Sequence, residues 1–180
     1  MNICVYGAAS ELIDDIYKTK TYELGEYLAD QNITMVFGAG ACGVMGACAR
    51  GVFAHSGKLI GIVPRFFTGD GIRFENCTET IFTETMRERK KLMEEMSDAF
   101  IVAPGGVGTF DEFFEIFTLQ SLGRHKKPIA VYNVNGYYDP MLDMLKKSVE
   151  AKFIQEHTVD RLIVSDCPKD IIEKINSFKY

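Results

Sequence analysis

One arginine, one glutamate and a run of glycines could carry the chemistry of this chain. The glycines lie in Pro104-Gly105-Gly106-Val107-Gly108-Thr109, which continues into Phe110-Asp111-Glu112. The apolar run Ala99-Phe100-Ile101-Val102-Ala103 before them reads as a buried strand, and Phe113-Phe114-Glu115-Ile116-Phe117 after them as a helix packed on more than one side. Strand, glycine loop and helix start is the layout that gathers backbone N–H groups around a phosphate. Gly105, Gly106, Val107 and Gly108, with the Thr109 hydroxyl, are therefore expected to bind one. An acid in the first helical turn then stands beside whatever the phosphate carries, and Glu112 is placed to be a catalytic group.

Acids in a first turn also face the helix dipole favourably with no further role. Glu112 is distinguished by sharing a face with Ile116 and Leu119, which predicts a half-buried carboxylate at the mouth of a pocket. Asp111 and Glu115 have weaker claims. Upstream, Met86 and Met93 are seven residues apart on a helical pattern and form an inward stripe. Arg89 falls on that stripe, with Lys90 beside it. Two outcomes stay open for Arg89: its stem runs to the surface, or its guanidinium faces an anion, either Glu112 or a ligand phosphate. Lys90 is expected to hold an anion.

The remaining reactive types say less. His55, His125 and His157 show neither a nucleophile partner nor metal-ligand spacing, and His125 reads as a surface or subunit-contact residue. The five cysteines form no CxxC pair and are odd in number, which argues against a disulfide framework or a zinc site. Cys4 reads as core, and Cys42 lies near a helix start. No metal and no organic cofactor is expected.

The elements that must position these groups alternate along the chain. Strands are predicted over 3–6, 33–37, 59–63 (ended by Pro64), 99–103, 128–132 and 162–164, with a short one over 80–82. Helices are predicted over 15–30, 43–56 (stopped by Gly57), 85–96, 109–122, 140–151 and 169–177. Residues 65–76 read as a surface loop. This alternation specifies an α/β fold, a Rossmann-like doubly wound parallel sheet with helices on both faces. Residues 1–180 are taken as one nucleotide-binding domain, since 180 residues suit one core. Ligands of such sheets bind outside the carboxyl ends of the strands. Three loops there are rich in small residues: Gly7-Ala8-Ala9-Ser10, the run from Gly38-Ala39-Gly40 to Met45 and Gly46, and the Pro104 loop.

The formal net charge of −5 argues against a broad nucleic-acid surface. No apolar stretch approaches the roughly 20 residues that cross a bilayer, and residues 1–6 carry no secretory pattern. The expected location is cytoplasmic.

Together these motifs resemble the LOG ("Lonely Guy") family of cytokinin riboside 5′-monophosphate phosphoribohydrolases, long mislabelled as lysine decarboxylases. The family signature PGGxGTxxE is complete from Pro104 to Glu112. Its arginine–lysine pair stands in Met86-Arg87-Glu88-Arg89-Lys90, and its GGGxxGLMG loop over residues 38–46. Its QLGxHxKP and NxxGYYDP segments lie over 120–128 and 133–140, so the likeness runs from about residue 3 to 172.

The resemblance implies that Arg89 and Glu112 form the catalytic pair. It implies substrate contacts from Lys90, residues 106–109 and Thr118, with Ser10, Gly40 and Met45 lining the other loops. It further implies a Rossmann-like fold and a homodimer with the site near the subunit contact. The expected reaction splits the N-glycosidic bond of AMP or an N6-modified AMP into free base and ribose 5-phosphate, with Arg89 keeping Glu112 ionised. The alternative is a nucleotide-binding or carrier protein without hydrolysis. A dehydrogenase would want GxGxxG after the first strand and an acid closing the second. A lysine decarboxylase would want a pyridoxal-anchoring lysine with its partners. Neither set is present. The first loop also lacks a hydroxyl where the family has Gly-Ser-Ser.

Overall fold

The structure is a computed structural model that describes residues 1–67 and 72–180. Seven parallel strands form one sheet: β1 (Asn2–Tyr6), β2 (Thr34–Phe37), β3 (Leu59–Pro64), β4 (Glu79–Thr83), β5 (Ala99–Val102), β6 (Ile129–Tyr132) and β7 (Ile163–Ser165), in the order β4-β3-β2-β1-β5-β6-β7. The connecting helices are α1 (Asp15–Asp30), α2 (Gly43–Ala54), α3 (Met86–Glu95), α4 (Val107–Ser121), α5 (Asp139–Glu150), α6 (Glu156–Asp160) and α7 (Pro168–Ser177). The expected α/β architecture is observed.

Strands buried on both faces carry continuous apolar runs rather than an alternation, and β1, β5 and β6 do so here. Their side chains still divide by parity between two cores. Ile3, Val5 and Ile101 pack on one face with Leu24, Leu28, Val52 and Ile171 of α1, α2 and α7. Cys4, Tyr6, Phe100 and Val102 pack on the other with Met93, Phe113, Ile116 and Leu145 of α3, α4 and α5. The sheet is thus sandwiched, and its carboxyl edge is left free for loops.

Several boundaries differ from expectation for identifiable reasons. Pro64 closes β3 from within, at the strand's last position beside Thr83 of β4. β4 is five residues long, not three, but sits at the sheet edge, where it shows no clean burial pattern. The short helix α6 has no counterpart in the sequence pattern, because five residues give too little periodicity to read. α2 ends at Ala54 in a Schellman turn, with Gly57 N–H on Val52 O (2.8 Å) and Ser56 N–H on Phe53 O (3.0 Å). Ser56, not Gly57, takes the left-handed conformation (φ 57°). Gly57 is needed for space, because a Cβ there would lie 2.7 Å from both Ala29 and Val52.

The predicted surface loop over 65–76 includes residues 68–71, which lie outside the described residues. Its second half, from Ile72 onward, is anchored rather than loose: Ala41 N–H donates to Ile72 O and Phe74 N–H to Ala39 O, and Phe74 is buried. Among the described residues, no helix is long and apolar enough to cross a membrane.

Candidate active site

The chain departs from the centre of the sheet in opposite directions at β1 and β5, which opens a crevice beyond their carboxyl ends. A cleft of about 710 Å³ occupies that place, and Ser10, Gly40, Met45, Gly106, Gly108 and Thr109 all line it. So do the two residues of the expected pair, Arg89 and Glu112.

At the β5 side, Gly106 is the N-cap of α4 and, being glycine, supplies no side-chain cap of its own. Phe110 N–H donates to Gly106 O at 2.9 Å, which closes the first helical turn. A Cβ at Gly106 or at Gly108 would meet nothing within 4 Å among the described residues, which leave this helix end open. Gly105 lies beneath it, buried so tightly that a Cβ would stand 2.1 Å from Thr109 Oγ1. Gly105 itself is not in the cleft wall, and Val107 is 83% exposed with its side chain outside. The N-terminal amides of a helix, aligned with its dipole, favour an anion.

The other glycine-rich junction, at α2, is closed by the protein. The Glu11 carboxylate accepts from Gly43 N–H at 2.7 Å, and Ala8 O from Met45 N–H at 3.1 Å. That contact with Gly43 holds the Glu11 carboxyl below its ordinary pKa. Ala39 stands at φ 59°, a left-handed position where the family loop has glycine.

Arg89 is buried on α3, and the choice left open by the sequence falls on the anion. Its Nη1 lies 3.7 Å from Glu112 Oε1, with the two side chains 8% and 12% exposed. Nε donates to Ile62 O at 3.1 Å, and Met86 Sδ lies 3.8 Å from Nη1. The guanidinium rests on Gly38, where a Cβ would stand 1.7 Å from Nη2. α3 is set for this by its Thr85 cap, which accepts from Glu88 N–H at 3.1 Å.

One expectation is corrected here. Arg89 does not keep Glu112 fully ionised near neutrality. Burial pushes the carboxyl up to about 7, and the lowering by Arg89 only partly offsets it. Glu112 therefore titrates near physiological pH, as groups that exchange protons in catalysis do.

Other expected contacts lie elsewhere. Lys90 is outside the cleft, in a closed space behind Glu112 with Tyr6 and Glu115. Its ammonium pairs with Asp111 at 3.0 Å and with Glu115. The anions it holds in this structure are the protein's own. Thr118, exposed and farther along α4, is also absent from the cleft wall. His125 is buried rather than a surface residue: Nδ1 accepts from Lys127 N–H at 3.2 Å, which leaves Nε2 as the donor to Ile116 O at 2.8 Å. Burial holds its pKa down. Among the described residues no cluster of three or more His, Cys, Asp or Glu could hold a metal ion. Sequence reasoning does not single out Glu11, and it places Gly38 only in a small-residue loop, not as the seat of Arg89. Their contacts join residues 32 and 51 positions apart, which no local spacing reports.

Comparison with known proteins bears on this geometry. The profile of a family described as "Possible lysine decarboxylase" matches residues 45–175. Cytokinin riboside 5'-monophosphate phosphoribohydrolase LOG1 of Arabidopsis thaliana is 35% identical over 176 residues, covering 98% of this chain and 83% of that protein. The protein named probable cytokinin riboside 5'-monophosphate phosphoribohydrolase LOGL2, from Oryza sativa subsp. japonica, is also 35% identical, covering 98% and 72%.

The chain belongs to the LOG family.

The fold of this LOG-family chain is shared more widely. A molybdenum cofactor carrier protein from Chlamydomonas reinhardtii matches with TM-score 0.73 at 18% identity, covering 98% of this chain and 96% of that one. A molybdenum cofactor binding protein from Rippkaea orientalis matches with TM-score 0.71 at 20% identity, covering 98% and 94%. The decarboxylase label finds no support in the cleft, which no lysine lines among the described residues.

Proposed function

We propose that this protein hydrolyses the N-glycosidic bond of purine nucleoside 5′-monophosphates, AMP or an N6-modified AMP, to free base and ribose 5-phosphate. The observation that carries this reading is the convergence of Arg89 and Glu112 in one cleft with the open end of α4. The names of the LOG relatives support the same reaction. The residues in named roles are Arg89 and Glu112 as the catalytic pair and the amides of residues 106–109, with Thr109, as the phosphate cradle. Ser10, Gly40 and Met45 are proposed to contact the rest of the nucleotide.

The 5′-phosphate, held at α4, lies away from the breaking bond and fixes the ribose. As the C1′–N9 bond breaks, its electron pair leaves with the base and the sugar becomes oxocarbenium-like. The Glu112 carboxylate stabilises that cation and takes a proton from the water whose oxygen bonds to C1′. The departing base takes up a proton. Arg89 limits the cost of ionising a buried Glu112, which would otherwise titrate higher still.

The whole chain is read as one domain acting in the cytoplasm as a homodimer, in which Lys90 and the exposed Thr118 are assigned to substrate contacts by family resemblance alone. The test is to incubate the protein with AMP, with N6-isopentenyl AMP and with adenosine. Release of free base and ribose 5-phosphate from a nucleotide is expected, with little from the nucleoside. Tight nucleotide binding without turnover of any nucleotide would favour a carrier instead.

A further inference from the structure

The segment Asn133-Val134-Asn135-Gly136-Tyr137-Tyr138-Asp139 has no part in that reaction, yet its conformation is tightly specified. Asn133 is held at both ends of its amide: Nδ2 donates to Asp139 Oδ1 at 2.7 Å, and Oδ1 accepts from Tyr138 N–H at 2.8 Å. Asn135 and Gly136 take left-handed conformations (φ 53° and 70°), and a Cβ on Gly136 would stand 2.7 Å from Asp139 Oδ2. The result is a tight turn that delivers two successive tyrosines in one direction.

Both hydroxyls reach the loop before α4. Tyr138 Oη donates to Ala103 O at 2.8 Å, and Tyr137 Oη donates to Gly105 O at 2.7 Å. The carbonyl between them is also engaged, since Ala8 N–H donates to Pro104 O at 3.0 Å. Three successive carbonyls, of Ala103, Pro104 and Gly105, are thereby tied to protein donors. Backbone groups must all be satisfied somewhere. Fixing these acceptors on the protein side leaves the next peptide groups to present N–H, not C=O, toward the open helix end. A carbonyl turned into that space would repel a phosphate. The rings extend the brace: Tyr138 meets Phe110 of the first α4 turn edge-on at 6.3 Å, and Tyr137 meets Tyr17 of α1 at 5.6 Å.

We propose that the Tyr137–Tyr138 hydroxyl pair is a positioning device that sets the orientation of the loop peptides and so governs affinity for the 5′-phosphate rather than for the nucleoside part. The proposal rests on the reading that α4 takes the phosphate, but not on catalysis.

The experiment measures the dissociation constants of ribose 5-phosphate and of adenosine by calorimetry for the wild type, Tyr137→Phe and Tyr138→Phe. Each substitution removes one hydrogen bond and keeps the ring. Tyr137 is partly exposed, so Tyr137→Phe keeps the test open if the buried Tyr138→Phe fails to fold. The expected result is about a fivefold rise for ribose 5-phosphate in Tyr137→Phe, in line with one ordinary hydrogen bond, with adenosine unchanged within about twofold. A larger rise is expected for Tyr138→Phe. A rise in both constants together would mean general loosening and overturn the proposal, as would no change in either. Wild-type protein that fails to bind ribose 5-phosphate would end both this proposal and the phosphate assignment. Wild-type protein that binds it with the expected pattern but cleaves no nucleotide would end the hydrolase reading alone.

Discussion

Two helices begin in glycine-rich loops at the same edge of the sheet, and they end up with opposite roles. The start of α2 is filled from within: Glu11 takes the Gly43 amide, and the carbonyl of Ala8 takes that of Met45. The start of α4 has a glycine cap and, among the described residues, no side-chain acceptor and open space over Gly106 and Gly108. Glycine spelling alone does not separate them, since tight strand-to-helix turns need glycine in either case. The deciding difference is whether an internal carboxylate already occupies the positive end of the dipole. Among the described residues such a carboxylate is found at the α2 end and not at the α4 end, and Arg89 and Glu112 line the cleft into which α4 opens.

The strongest way to break the comparison is to give α4 its own carboxylate. Gly108→Asp should raise KM for a nucleotide by roughly 1000-fold, the several kcal/mol expected when like charges are forced together. An acid at this helix position suits the dipole, so Tm should not fall. Unchanged KM would place the phosphate elsewhere.

Next in size is Gly38→Ala, which forces a methyl group into the Arg89 guanidinium. Turnover should drop roughly 100-fold, about 2.7 kcal/mol of transition-state stabilisation. Ribose 5-phosphate should still bind. The lower limb of the pH–rate profile should also move above about 7, because the charge that opposes the burial of Glu112 has been displaced.

A third effect is on stability. Glu112 is raised from 4.5 to about 7 by folding. Its protonated form is therefore favoured in the folded state, and stability falls as pH rises from about 4.5 to above 7. Glu112→Gln should gain up to roughly 3 kcal/mol at pH 8 and nothing near pH 4. Denaturant titrations at the two pH values check this; equal gains at both would refute it.

The smallest effect belongs to the α2 end. Glu11→Gln should change nucleotide KM by less than about twofold. It should lower Tm at neutral pH only, since a carboxyl held low by its partner contributes above the ordinary carboxyl range and loses that contribution in acid. A large rise in KM would show that the α2 end also serves the ligand.

The range of each interaction decides how much of this is legible in the chain. Apolar runs and glycine loops are local, so the parallel sheet and the glycine-rich start of α4 can be read directly, as can the inward stripe that carries Arg89. The residues alone leave Arg89 between a stem that runs to the surface and a guanidinium that faces an anion, because the choice depends on how α3 and α4 meet. Lys90, expected to contact substrate, pairs instead with Asp111 and Glu115, which lie across a helix packing that no spacing encodes. The burial of His125 escapes a sequence reading because its partners, Ile116 O and Lys127 N–H, are backbone atoms with no side-chain signature. The ionisation of Glu112 is misjudged because the charge of Arg89 can be read from sequence, whereas the depth of burial opposing it cannot.

The most direct test is a product assay on wild type and Glu112→Gln, with nucleotide binding measured on the same samples. The wild type should release free base and ribose 5-phosphate from AMP or N6-isopentenyl AMP, while Glu112→Gln binds the nucleotide and releases neither. Cleavage by Glu112→Gln at a rate near wild type would contradict the account.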